Sequence, residues 1–183
     1  MLGFLCFAEF SKEEDVQMSQ TAQEAFDLFG VNSFRALHDA YMQKDQDKFL
    51  FNTWCYDDPT DILVQTREAL EAIDPGVLDE DDRMWWYEII WFWYHHAISA
   101  SIRKLDKARA RYFACMALAY QDPNHPNRIT RLLWHLVYDR LAEARRFVYE
   151  CQRLGPDHET EVELLEDYES GDDGWAAFKN IKV

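Results

Sequence analysis

The sequence predicts an all-α fold, and three observations support that reading. Only 6 Gly and 5 Pro interrupt 183 residues, whereas an all-β chain needs a turn signal about every ten residues. Apolar residues recur at helical steps along most of the chain. Its segments close on stop signals such as Asp74-Pro75-Gly76, Asp122-Pro123 and Gly155-Pro156. With 48% hydrophobic and 15% aromatic residues, the chain can bury a core as one helical domain. The expected architecture is a stack of antiparallel helical hairpins, about seven to nine helices in all. N-terminal hairpins cover residues 1–79, a repeat-like core 80–156, and an acidic C-terminal helix and tail 157–183.

Taken in order, Ser11-Lys12-Glu13-Glu14 has the spacing of a capping box and starts a helix through Val16, Ala22, Phe26 and Phe29, closed by Gly30. Asn32 or Ser33 caps a second helix through Phe34, Leu37, Tyr41 and Met42. The polar run Gln43–Asp47 then predicts a turn, followed by a short helix with Phe49, Leu50, Thr53 and Trp54. Thr60 or Asp61 starts the next helix, through Ile73. Four acids, Asp79 to Asp82, suit the N-terminal dipole end of a long aromatic helix that runs to Arg103. That helix is apolar almost all round, which predicts burial on several sides. Further helices follow over 107–121, around Ile129–Val137, over 141–154 and over 159–168. Ser-Gly-Asp-Asp-Gly from Ser170 reads as a flexible acidic linker before Trp175 and Phe178, a hydrophobic latch.

No secretion signal is legible at Met1–Phe10, and the apolar run Met84–Ile98 is shorter than a membrane span needs. Cys6, Cys55, Cys115 and Cys151 are spread singly, which suits reduced thiols in the cytoplasm. The formal charge of −15 argues against nucleic acid and anionic membrane as partners. It also conceals a segregation. Residues 1–100 carry net −14, residues 101–153 net +6, and residues 154–183 net −7.

Ala69-Leu70-x-x-x-Asp74-Pro75 and Ala117-Leu118-x-x-x-Asp122-Pro123 share a closing pattern, and Asp139-Arg140-Leu141-Ala142-Glu143-Ala144 runs to Gly155-Pro156 with Ala144 twelve residues before the proline. Over residues 80–156 this resembles the second helix of tetratricopeptide repeats, where a small residue lets two helices approach and proline ends the unit. Lys104-Leu105-Asp106-Lys107-Ala108 opens the preceding hairpin in a similar way. The first-helix pattern departs from the family, with Leu132 and His135 where Gly and Tyr stand, and the closing prolines are not evenly spaced. The resemblance implies an extended surface that binds peptides.

The basic island therefore becomes the candidate site: Arg103, Lys107, Arg111, Arg131, Arg145 and Arg146, with Trp86 as an aromatic anchor in a partly exposed groove. The expected function is a non-catalytic module that binds an acidic peptide or protein, or the chain's own acidic C-terminal segment. An acidic inhibitor that neutralises a basic target through the N-terminal carboxylates is the first alternative. A small helical metal-dependent enzyme around Glu88, His95 and His135 is the second. No Gly-rich phosphate loop, nucleophile elbow or paired metal-ligand spacing occurs, so no cofactor, metal or catalytic residue is assigned. The aromatic excess permits a homodimer without requiring one.

Overall fold

The computed structural model describes residues 22–50, 56, 58–172 and 174–182. Among these residues it contains helices and no strand. The all-α expectation therefore holds. The chain divides into two compact units, residues 1–90 and 91–183, and the boundary falls within one long helix.

In the first unit, α1 covers residues 22–29, α2 Phe34–Leu50 and α3 Ile62–Glu71. Phe26 meets Phe34 edge to face at 5.2 Å, and Phe29 meets Tyr41 at 6.2 Å, which closes α1 onto α2. The turn expected at Gln43–Asp47 does not form, because α2 continues through it. Gln43 donates to Asp47 one turn on, at 3.0 Å, and Asp45 is buried. A polar run that finds partners along the helix need not end it. Thr53, Trp54, Cys6, Cys55 and the Ser11 capping box lie outside the described residues. Asp61 caps α3 by accepting from the Leu63 N–H at 2.9 Å and is also paired with Lys48. Asp74 then closes a single 3-10 turn, Pro75–Val77, by accepting from the Gly76 N–H at 2.9 Å.

Helix α4 runs Glu80–Arg103, with Asp79 accepting from the Asp82 N–H at 2.8 Å and three acids in its first turn. In the second unit its residues 91–103 are followed by α5 (Lys107–Ala119), α6 (Arg128–Val137), α7 (Leu141–Leu154), α8 (Glu159–Ser170) and α9 (Trp175–Lys179). Helices α5 to α9 pack in sequence, each against the next, and α6 also packs against α8. Helices α5, α7 and α9 begin at Lys107, Leu141 and Trp175, a constant pitch of 34 residues.

The first two turns are also built alike. Leu105 and Asp139 both adopt positive φ, 59° and 57°. In the first turn the N–H groups of Lys104, Leu105 and Asp106 donate to the carbonyls of Ala100, Ile102 and Ser101. In the second, those of Tyr138, Asp139 and Arg140 donate to Trp134, Leu136 and His135 in the same pattern. These bonds satisfy the carbonyls that the helix end would leave open. Ala110 and Ala144, at matching positions, are both fully buried, and a methyl side chain there lets neighbouring backbones approach.

The core of the second unit combines large and small side chains. Trp93 meets Phe113 edge to face at 5.4 Å, Tyr94 stacks on Tyr120 at 5.8 Å, and Ala114, Leu132, Leu136 and Val137 are buried. Where a flexible linker was expected after Ser170, Gly171 and Gly174 take positive φ and make a tight turn into α9. Tyr168, Trp175 and Phe178 bury there as one edge-to-face cluster. Each such ring removed from water contributes about 2–3 kcal/mol, so this segment is part of the core.

Candidate functional site

The basic island lies within the second unit, and most of its cations have partners inside that unit. Lys107 is 5% exposed and holds the Asp139 carboxylate at 2.8 Å and the Ile181 carbonyl at 3.2 Å. Arg111 donates to the Val137 carbonyl at 3.0 Å and to Asp139 at 3.1 Å. Asp139 also accepts from the Tyr168 hydroxyl, which raises that phenol's pKa after burial has done most of the work. One carboxylate in a left-handed turn thus joins α5, the α6–α7 turn and α8. Breaking such a partly buried pair by removing one partner leaves an uncompensated charge.

The acidic C-terminal helix takes two more cations. Arg128 pairs with the buried Glu161 at 3.1 Å and donates to the Asp157 carbonyl at 2.7 Å, and Arg145 meets Glu169 at 2.5 Å.

Two members of the candidate site are therefore corrected. Trp86 does not reach a groove: it is 1% exposed, and its indole N–H donates to the Leu70 carbonyl at 2.9 Å within the first unit. Lys107 is an internal tie, and burial takes its ammonium out of reach of a partner. Arg103 and Arg146 are exposed, and Arg111 and Arg145 are held as above.

What remains open at the surface is a strip along α6 and its neighbours. Arg131 lies over the Phe147 ring at 5.4 Å, Arg140 over Trp134 at 4.6 Å, and Arg111 over Tyr138 at 5.0 Å. The rings form a continuous row, with Phe147 6.2 Å from His135, His135 5.2 Å from Trp134, and Trp134 5.1 Å from Tyr138. Helical geometry explains the row, because residues 131, 134, 135 and 138 share one face of α6 while Leu132, Leu133, Leu136 and Val137 take the other. Arg131 and Arg140 are legible in the sequence as members of the basic island, whereas Trp134, Tyr138 and Phe147 were missed. The i, i+3, i+4, i+7 spacing on α6 was the available signal. Cys115, exposed and free, sits 3.3 Å from the Tyr138 hydroxyl at the end of the row.

Of the residues in the enzymatic alternative, His95 takes part in a tie between helices. Trp91 donates its indole N–H to the Thr130 hydroxyl at 2.9 Å, and His95 Nε2 lies 2.9 Å from the same oxygen. Burial, with a smaller effect from His96, lowers the His95 pKa to about 3. The ring is therefore neutral and fastens α4 to α6. Asp139, one turn after His135, faces Lys107 and Arg111. Glu88 is an exposed residue of the first unit. Among the described residues no three His, Cys, Asp or Glu side chains are grouped as a metal site, and no helix is long and apolar enough to cross a membrane. Comparison with protein-family models, curated proteins and solved structures found no match.

Proposed function

We propose that this protein is a non-catalytic interaction module, cytoplasmic and tetratricopeptide-like over residues 91–179, that binds an acidic segment of another protein through the arginine and aromatic strip on α6. The observation that carries the reading is the pair Arg131 and Arg140. Each lies over an aromatic ring, and among the described residues neither has a carboxylate partner. Stacking holds the guanidinium plane while its edge N–H groups stay available for bidentate hydrogen bonds to carboxylate. Trp, Tyr and Arg are also the residues that dominate binding energy at interfaces. The repeat-like reading is supported by the 34-residue pitch, which is that of tetratricopeptides.

The test is fluorescence anisotropy of labelled octaglutamate with the full chain, at low and moderate salt. The expected result is salt-sensitive binding that the double variant Arg131→Glu/Arg140→Glu loses by at least about tenfold, while Arg153→Glu changes it little. Tighter binding of octalysine than of octaglutamate would overturn the proposal and favour the N-terminal carboxylates as the working surface.

A further inference from the structure

We propose that Arg131, His135 and Arg140 form an oxyanion subsite that takes one carboxylate side chain of the acidic partner. This rests on the reading above and names its point of recognition. Arg131 stands one turn before His135 on α6, and Arg140 follows in the turn, where its backbone N–H donates to the His135 carbonyl at 2.9 Å. The two guanidiniums lie over Phe147 and Trp134, the rings that flank His135.

The imidazole supplies the second, independent observation. Its Nδ1 is buried and has no hydrogen-bond partner. A buried N–H without an acceptor is costly, so the ring's proton resides on Nε2. That leaves Nε2–H for a ligand, with both guanidiniums near enough to act on the ring. Burial, then Arg131 and Arg140, lower the pKa of this ring, and Glu143 of α7 partly opposes them. From α5, Arg111 is turned to Asp139, and from α8, Glu161 holds Arg128. The unliganded ring is neutral at pH 7, so it neither repels a cation nor attracts an anion strongly at long range. A carboxylate docked beside it adds negative charge and raises its pKa. The complex therefore takes up a proton, and binding tightens as pH falls below neutral.

A carboxylate fits better than the phosphates of a nucleic acid. The chain carries net −15, which disfavours the long, dense phosphate row of a nucleic acid more than a short acidic segment. A carboxylate and a single phosphate share the bidentate chemistry, so the experiment must separate them.

Octaglutamate binding to the full chain is measured at about pH 6 and about pH 7.5, and binding about threefold tighter at the lower pH is expected. His135→Gln retains a donor but takes up no proton, so its binding at the two pH values should agree within about twofold, whatever its affinity. Ring-proton NMR of the unmodified protein gives a second readout, an upward shift of the His135 titration on adding octaglutamate. A His135→Gln protein with the same pH ratio as the parent, or a ring titration that the peptide leaves unmoved, overturns the subsite while the interaction module stands. Tighter binding of a phosphoserine octapeptide overturns the carboxylate assignment. Failure of octaglutamate to bind the parent at low salt overturns both readings.

Discussion

Residues 91–179 and residues 22–90 use charge in opposite ways. In the first unit carboxylates act mainly over short stretches of chain, the Asp61–Lys48 pair apart. Asp58 accepts from Thr60, Asp61 from Leu63, Asp74 from Gly76 and Asp79 from Asp82, each within three residues along the chain. Four of the acids that make this unit so negative are thus turn and helix caps, placed where unsatisfied N–H groups and the helix dipole favour them. In the second unit the cations reach far. Lys107 meets Asp139 and Ile181, Arg128 meets Glu161, and Arg145 meets Glu169. The first unit is punctuated by its charges, and the second is held together by them.

The difference extends to how each unit repeats. The second unit sets its second helices at a 34-residue pitch and closes two turns with the same hydrogen bonds, whereas in the first unit α2 and α3 differ in length, 17 and 10 residues. A unit without a repeated contact depends more on single large anchors. Trp86 is such an anchor, fully packed and hydrogen-bonded to Leu70. Trp86→Ala should therefore show the largest effect of any change discussed here, about 3–5 kcal/mol by urea denaturation. Trp86→Phe keeps much of the volume and loses the hydrogen bond, so it should cost about 1–2 kcal/mol. If the alanine variant lost less than the phenylalanine variant, the anchor account of the first unit would be wrong.

Helix existence was legible because its signals are local. Asp61, Asp74, Asp106 and Asn127 cap where they stand, and Gly155 follows the last residue of α7. The 34-residue pitch was not legible, since it is carried by backbone conformation at Leu105 and Asp139, neither of which is the glycine that marks a left-handed turn in sequence. Ala108 and Ala142, Ala110 and Ala144, Arg111 and Arg145, and Phe113 and Phe147 do repeat at this spacing, but they stand scattered among unlike residues and do not by themselves fix a period. The candidate site was half legible for a related reason. Clustered arginines are visible along the chain, but their partners, Asp139, Glu161 and Glu169, come from elements that only the fold brings near. Lys107 and Trp86 were misplaced because burial depends on which side of a helix is covered, and both α4 and α5 are covered on several sides.

A sharper contrast between the units comes from acid. His95 is held neutral by burial against Thr130, with its pKa lowered to about 3, whereas the unfolded ring titrates near 6.5. The unfolded chain therefore binds the extra proton first. The stabilisation from the neutral ring is complete above pH 6.5 and is lost as pH falls toward the folded value. By pH 4 the loss is about 3 kcal/mol. Carboxylates elsewhere also titrate in this range, so the informative quantity is the difference from His95→Gln, which should flatten the slope between pH 6.5 and about 4. An identical slope in the variant would mean that the α4 to α6 tie contributes nothing to acid sensitivity.

The smallest effect should arise where the repeat departs from its own pattern. In the third turn of the second unit the left-handed residues, among those described, are glycines, Gly171 at φ 89° and Gly174 at φ 86°. Gly171 has a steric reason as well as a conformational one. A Cβ built there would stand 2.8 Å from the Ala176 Cβ and 3.3 Å from its Cα, so backbone would have to move. The same residue accepts from the Ala176 N–H at 3.1 Å, and that bond starts α9. Gly171→Ala should cost about 2 kcal/mol, from strain at positive φ together with the contact. Gly174→Ala meets no atom within 4 Å and should cost about 1 kcal/mol from conformation alone. Equal losses at the two glycines would show that the approach of Ala176 is relieved by a small shift, and that α9 is held by its buried Trp175 and Phe178 rather than by the turn.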